Sequence, residues 1–222
     1  MKKVVVIVVP VLILLFASCK KEVLRGEGPI STQNRNSVIA SNYHTIKVHG
    51  ATKVYVNFSY DKSFEIKGYT NLLNAFSTEI RNGVLMLGFK ENVTVRNDNI
   101  QVYIAYPKTG SIALNGNCEA HYIGNFPLED EINATINGNG EISYQKAYSN
   151  RANFTINGSG EIEGENLSTL EANVRINGSG TAKIAAVDKL KANINGSGNI
   201  YYLGNPILET NISGSGKIIP LN

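Results

Sequence analysis

The sequence predicts an all-β fold: a β-solenoid of stacked coils with a period near 20 residues, preceded by an irregular β amino-terminal portion. One short phrase recurs along the chain, the recurrences are spaced at the length of a coil, and the residues around each copy alternate between apolar and polar. The phrase reads "INGNGEI" at 136–142, "INGSGEI" at 156–162, "INGSGTA" at 176–182, "INGSGNI" at 194–200 and "ISGSGKI" at 212–218, with a worn copy "LNGNCEA" at 114–120. Its second position falls at Asn115, Asn137, Asn157, Asn177, Asn195 and Ser213, so the steps are 22, 20, 20, 18 and 18 residues. A unit of this length cannot bury its own apolar face and must stack on copies of itself, whereas a propeller blade needs about 40 residues.

Parity assigns the faces. Ala152, Phe154, Ile156, Gly158, Gly160 and Ile162 alternate with Asn153, Thr155, Asn157, Ser159 and Glu161, the period-two pattern of a strand with one buried side. The shorter step reads as a loss of two residues between the Ala-Asn pair and the phrase, "ANFTINGSG" becoming "ANINGSG" at 192–198. An even deletion keeps every side chain on its own face. Asn-Gly is also the strongest short hairpin signal, but a meander of hairpins has no reason to hold a 20-residue period. Stacked coils therefore predict Ile136, Ile156, Ile176 and Ile194 in one buried column, with the Asn side chains stacked about 4.8 Å apart.

From the amino terminus onward, residues 1–18 read as a signal peptide: a basic "MKK", an apolar run from Val4 to Phe16, and small residues before Cys19. The run is shorter than the roughly 20 residues that a membrane-spanning helix needs. "FASC" resembles the lipoprotein signal, which makes Cys19 the expected lipid attachment and the outer membrane, facing periplasm or cell surface, the expected location. Residues 19–40, polar and without periodicity, read as a lipidated tether, and 41–220 as a single domain. Within it "VHGATKV" at 48–54 fits the frame of the phrase, with His49-Gly50 in place of Asn-Gly. "FEIKGYT", "TEIRNGVLMLGFK" with an Asn82-Gly83 turn, and "DNIQVYIAYP" read as strands, and "NLLNAF" at 71–76 as one or two helical turns.

Charge and chemistry-bearing residues narrow the function. Without Lys2 and Lys3 the chain has 19 basic against 18 acidic residues, which leaves no electrostatic footprint for nucleic acid. The glycine-rich phrase lacks the Lys-Ser/Thr tail of a phosphate loop, and its copies carry Asn, Ser and Glu where a calcium-binding roll needs repeated Asp. His44, His49 and His121 have no metal spacing, so no metal and no cofactor are expected. Cys118 falls on the inward parity, in the slot of Gly140 and Gly160, as a buried thiol. Glu119, Glu141 and Glu161 form a column that continues as Thr181, Asn199 and Lys217. Its bland reading is a solvated row, and its sharp reading is a general acid and base. No catalytic residue is assigned on that basis. Tyr122, Tyr144, Tyr201 and Tyr202 follow the phrases, and alternation sends about half of them inward.

The run "GATKVYVNF", then "NLLNAFSTEIRNGVLMLGF", "IQVYIAYP" and the repeated "INGSG" is similar to the DUF2807 family, described as auto-transporter adhesins with a head GIN domain. The likeness covers roughly residues 42–218. It implies a β-helix-like fold and an exported, often lipid-anchored protein of Bacteroidota envelopes. The expected function is non-enzymatic adhesion or binding at the envelope, with a glycan or a surface protein as ligand and membrane contact through Cys19. The alternatives are a carbohydrate-active enzyme on the same fold, a polysaccharide lyase or hydrolase, and a self-associating scaffold, which would make the chain a homo-oligomer.

Overall fold

The computed structural model describes residues 22–90 and 93–221. The expected signal peptide and Cys19 lie outside the described residues. The regular part consists of four long bent strands, each running from the end of one phrase to the glycine of the next: β11 (Glu119–Gly138), β12 (Glu141–Gly158), β13 (Glu161–Gly178) and β14 (Thr181–Gly196). Neighbours pair in parallel with equivalent residues opposite one another, as in Ile136↔Ile156↔Ile176↔Ile194. These four isoleucines are buried, at most 2% exposed. The fold is a β-solenoid of stacked coils, as the period requires.

The column extends beyond the clear repeats. The worn copy forms β10 (Ser111–Gly116), and "VHGATKV" contributes β3 (Thr45–Gly50) and β4 (Lys53–Phe58). Val48 stands opposite Leu114, and Leu114 opposite Ile136, so the frame read at His49-Gly50 is a true coil. At the other end β15 (Asn199–Leu203), β16 (Ile207–Gly214) and β17 (Lys217–Pro220) continue both halves of the coil in parallel register.

Two glycines of the phrase serve different ends. Gly158, Gly178 and Gly196 adopt φ of +133° to +137°, and a Cβ on any of them would point onto the carbonyl oxygen of the glycine one coil below. The second glycine is buried, and a Cβ at Gly180 would stand 2.6 Å from Gly160 O and 2.7 Å from Ile156 Cγ2. With no side chain there, the turns approach closely enough for Ser179 N to reach Gly158 O (3.0 Å) and Thr181 N to reach Gly160 O (3.0 Å).

The even step is absorbed elsewhere than the sequence suggests. Asn193 stands opposite Arg175, not Asn173, and the strands stay in register from Glu171↔Lys189 to Gly178↔Gly196. The two residues are lost between Gly164 and Glu171, where the register shifts. A deletion inside the ladder would break consecutive backbone hydrogen bonds; at a bend between faces it costs few of them.

The amino-terminal portion caps the solenoid. β5 (Ser63–Tyr69) lies antiparallel to β9 (Gln101–Tyr106), which pairs in parallel with β4; β6 (Phe76–Arg81) and β7 (Val84–Phe89) form a hairpin over β3. Asn82 and Gly83 turn that hairpin with φ of +50° and +73°, the two-residue geometry that Asn-Gly favours. A helix, α1 (Thr70–Ala75), buries Leu72 and Leu73. Residues 22–40 are a correction, because they belong to the fold and are not tether. β1 (Glu22–Arg25) pairs with β8 (Val93–Arg96), and β2 (Ile30–Asn34) lies antiparallel to β5. The polar composition that suggested a tether is satisfied by backbone pairing and by Arg35. Its guanidinium donates to the carbonyls of Leu73 (2.6 Å) and Phe76 (2.8 Å) and to Thr78 Oγ1 (2.9 Å).

Candidate binding face

The coil register lines outward side chains into columns on either side of the phrase. Before the turn, the Asn column is a hydrogen-bonded ladder: Asn137 Nδ2 donates to Asn115 Oδ1 (3.0 Å), Asn157 to Asn137 (2.8 Å) and Asn177 to Asn157 (2.8 Å). Asn137 and Asn157 each spend one donor and one acceptor on their neighbours, Asn115 an acceptor and Asn177 a donor. This column is largely self-satisfied.

After the turn the columns vary from coil to coil. One runs Gln101, Lys53, Glu119, Glu141, Glu161, Thr181, Asn199 and Lys217, and the next Tyr103, Tyr55, His121, Ser143, Glu163, Lys183 and Tyr201. The glutamates read as a solvated row are flanked by cations. Lys53 Nζ lies 2.7 Å from Glu119 Oε2, and Lys183 Nζ lies 3.3 Å from Glu161 and 2.9 Å from Glu163. The hydrogen bond from Lys53 holds the Glu119 carboxyl below the ordinary carboxylate range and raises Lys53 in turn; Glu163, then Glu161, raises Lys183. Glu141, between the two paired groups, makes no ion pair among the described residues.

The aromatic residues at this surface are not those the spacing singled out. Tyr122 and Tyr144 are buried and stacked on each other (centroids 4.8 Å apart), whereas Tyr201 and Tyr202 are half-buried. Tyr55 stacks instead between Tyr103 (5.1 Å) and His121 (5.4 Å). The three sit two residues after Gln101, Lys53 and Glu119, so carrying the frame of the phrase back into the amino-terminal strands would have found them. Rings stacked along the solenoid axis present edges and polar atoms outward. Tyr103 Oη donates to Gln101 Oε1 (2.7 Å), and His121 Nδ1 lies 2.7 Å from Ser143 Oγ. The result is a row of hydrogen-bonding and charged groups repeated at the inter-strand spacing of about 4.8 Å.

A separate cleft of about 540 Å³ opens beside it between Lys62, Tyr106, Lys108, Thr109 and Glu129. Lys62 Nζ sits 5.0 Å from the centre of the Tyr106 ring, and burial raises the Glu129 carboxyl above its ordinary value despite Lys108. Among the described residues no group of three or more His, Cys, Asp or Glu side chains is placed to hold a metal. Cys118 is buried, and burial pushes its thiol up to about 11.

The family described as "Putative auto-transporter adhesin, head GIN domain" (DUF2807) matches residues 42–206, which run from β3 through β15. The chain belongs to this family. Membership makes it an adhesin-like protein. Solved structures share the fold. A Bacteroides fragilis protein named a putative adhesin aligns at 19% identity and TM-score 0.73, over 89% of this chain and all of that one. A Parabacteroides distasonis protein named a putative lipid binding protein aligns at 21% and 0.55, and a Parabacteroides merdae protein named a putative adhesin at 22% and 0.52. Each covers 90% of this chain and is itself covered in full. No curated protein matches the chain. No helix among the described residues is long and apolar enough to cross a membrane.

Proposed function

We propose that the protein is a non-enzymatic adhesion module, held at the outer membrane by lipid on Cys19, that binds a hydroxyl-rich surface glycan along the face after the turn. The observation that carries this reading is the uninterrupted row of partly exposed donors and acceptors from Gln101 to Lys217. Successive groups about 4.8 Å apart suit a polymer with repeating hydroxyls, and no enclosed pocket is needed to align it. The family description supports adhesion, and "FASC" after a short apolar run supports the anchor. The Glu column favours binding over hydrolysis. Glu119 and Glu161 share one kind of environment, partly exposed and lysine-paired, whereas acid and base roles require environments that push two pKa values apart.

The test is a glycan array probed with the chain from Lys20 onward, which holds every described strand. Binding to a glycan that Tyr55→Ala and Lys183→Ala weaken about tenfold or more supports the reading. Binding that neither variant changes overturns this face. Polysaccharide turnover that disappears in the Glu141→Gln, Glu161→Gln double variant replaces adhesion by catalysis. For the anchor, metabolic labelling with a fatty-acid analogue tags the wild type and not Cys19→Ser.

A further inference from the structure

We infer that the outer face of the small sheet formed by β1 and β8 docks on the anionic phosphate headgroups of the bilayer, a reading that rests on the Cys19 anchor proposed above. A tether over residues 19–40 would let the domain stand tens of ångströms clear of the membrane, at about 3.4 Å per residue. The fold leaves no such length. β1 begins at Glu22, three residue steps after Cys19, and three steps reach at most about 11 Å. The headgroup layer on one side of a bilayer is about 5–8 Å thick. Lipid on Cys19 therefore holds β1 at the headgroups.

The strand is fixed to the fold and cannot swing out as a leash. Gly26 N donates to Arg96 O (2.8 Å), Asn97 Nδ2 to Gly26 O (2.7 Å) and Asn71 Nδ2 to Arg25 O (2.8 Å). Leu24 and Val95, opposite one another, pack against the core. Their neighbours Val23 and Thr94, then Arg25 and Arg96, stand opposite one another on the outer side, and all four are exposed. Glu27 and Asp98 lie beyond the ends of the two strands, and Asp98 accepts from Ile100 N (2.9 Å).

Arg25 opposite Arg96 is an unfavourable pair for a surface that meets only water. Directly opposed like charges destabilise a sheet, and a two-stranded sheet is marginal to begin with. Neither guanidinium makes an ion pair among the described residues. A phosphate shared between the two forks turns the repulsion into attraction, because the planar guanidinium matches phosphate oxygens in pairs. Each cation held near an anionic surface strengthens attachment about fivefold. Lys20 and Lys21, between Cys19 and the strand, add to the same charge. Val23, 57% exposed, supplies an aliphatic contact beside the arginines. The bilayer is the occupant because the anchor holds this face within reach of it.

The experiment couples the chain from Cys19 onward, which holds every described strand, to a maleimide lipid in vesicles. Cys118 is buried, so Cys19 is the thiol that reacts. Hydrogen–deuterium exchange, read by mass spectrometry, compares phosphatidylcholine vesicles with vesicles containing about one-third phosphatidylglycerol. Exchange across residues 22–26 and 93–97 should be at least about tenfold slower with phosphatidylglycerol. The Arg25→Gln, Arg96→Gln double variant should lose that difference, and Arg25→Lys with Arg96→Lys should keep most of it. In the uncoupled chain the glutamine variant should exchange more slowly than the wild type, since the repulsion is gone. A purely structural role would move both measurements in the same direction. Equal exchange on the two vesicles, slowing that the glutamine variant keeps, or faster exchange of that variant when uncoupled overturns the docking face. Failure of the anchor itself is read separately, by the fatty-acid labelling of Cys19 in cells.

Discussion

Substituting Gly178 by alanine separates the stacking of coils from the conformational needs of a single turn. Gly178 has φ +137°, and an alanine there bears a backbone cost of about 1–3 kcal/mol. Its Cβ would also point onto the Gly158 carbonyl oxygen, with the Gly158 carbonyl carbon at 3.0 Å and Cα at 3.2 Å. Both neighbours are backbone within a continuous ladder, so no side chain can rotate away. The coils must part, with a packing cost of about 1–3 kcal/mol and the loss of about 1 kcal/mol for the bond from Ser179 N to Gly158 O. The total, about 3–7 kcal/mol, is a large part of the 5–15 kcal/mol typical of a domain.

Gly50 provides the control. It occupies the same place in the first coil at φ +99°, but a Cβ there meets nothing within 4 Å. Gly50→Ala therefore bears the backbone cost alone. Urea unfolding of both variants, followed by far-ultraviolet circular dichroism because the chain has no tryptophan, would compare them directly. With a slope of about 2 kcal/mol per molar urea, a difference near 3 kcal/mol places the Gly178→Ala midpoint about 1.5 M below that of Gly50→Ala. Equal midpoints would refute the claim that the repeated glycine is there for the approach of one coil to the next.

Asn157→Ala breaks the amide ladder at its middle and should cost about 1 kcal/mol in the same unfolding assay, since Asn137 and Asn177 regain water. Ile156→Asp places an unpaired charge in the buried column and should leave no cooperative unfolding transition. The pairing that lowers Glu119 contributes stability above the ordinary carboxylate range and loses it as pH falls through the lowered value. Lys53→Met should therefore flatten the decline in stability as pH falls through and below the ordinary carboxylate range. Cys118 should resist alkylation at pH 8 in the native protein and react only on unfolding, because it is buried and its thiol is raised to about 11.

Solenoid period and parity were legible because each coil repeats the same physical constraints: a glycine whose Cβ would strike the coil below, and an isoleucine that must be buried. The cap was legible only in pieces. "TEIRNGVLMLGF" declares its hairpin through Asn82-Gly83, but nothing in "EVLRGEGPISTQN" declares a partner. β1 and β2 are held by strands more than 30 residues away and by a guanidinium that reads the carbonyls at the end of α1. Periodicity is a local signal and cannot report a strand whose order comes from a distant edge. The Glu column was legible as a column, yet its lysines were not. Lys53 comes from the first coil, whose phrase has His49-Gly50 in place of Asn-Gly, and Lys183 approaches Glu161 diagonally from a neighbouring column. The surface aromatic ring stack was missed because the conspicuous tyrosines follow phrases that are easy to see, whereas Tyr55 and Tyr103 follow strands with no Asn-Gly turn.

If the face after the turn binds a glycan as proposed, the contrast between the two sides of the turn assigns specificity to that face. Before the turn Asn recurs at 115, 137, 157, 177 and 195, and the first four are joined side chain to side chain; a ligand there would find Asn137 and Asn157 each with a donor and an acceptor already spent. Immediately after the second glycine position of each phrase the same backbone geometry carries lysine, glutamate, threonine, asparagine and lysine again. The fold tolerates all of these, because each points outward from a ladder held by glycine and isoleucine. Stability therefore does not determine the identity of these residues, and the order of charges along the column is free to encode what the face binds. Moving one charge tests this separation: exchanging Glu141 and Thr181, which occupy the same column, should leave the unfolding midpoint unchanged while altering the ranking of glycans bound on the array. A midpoint that falls by more than about 1 kcal/mol equivalent would show that the column is part of the scaffold and that recognition must be sought elsewhere on the molecule.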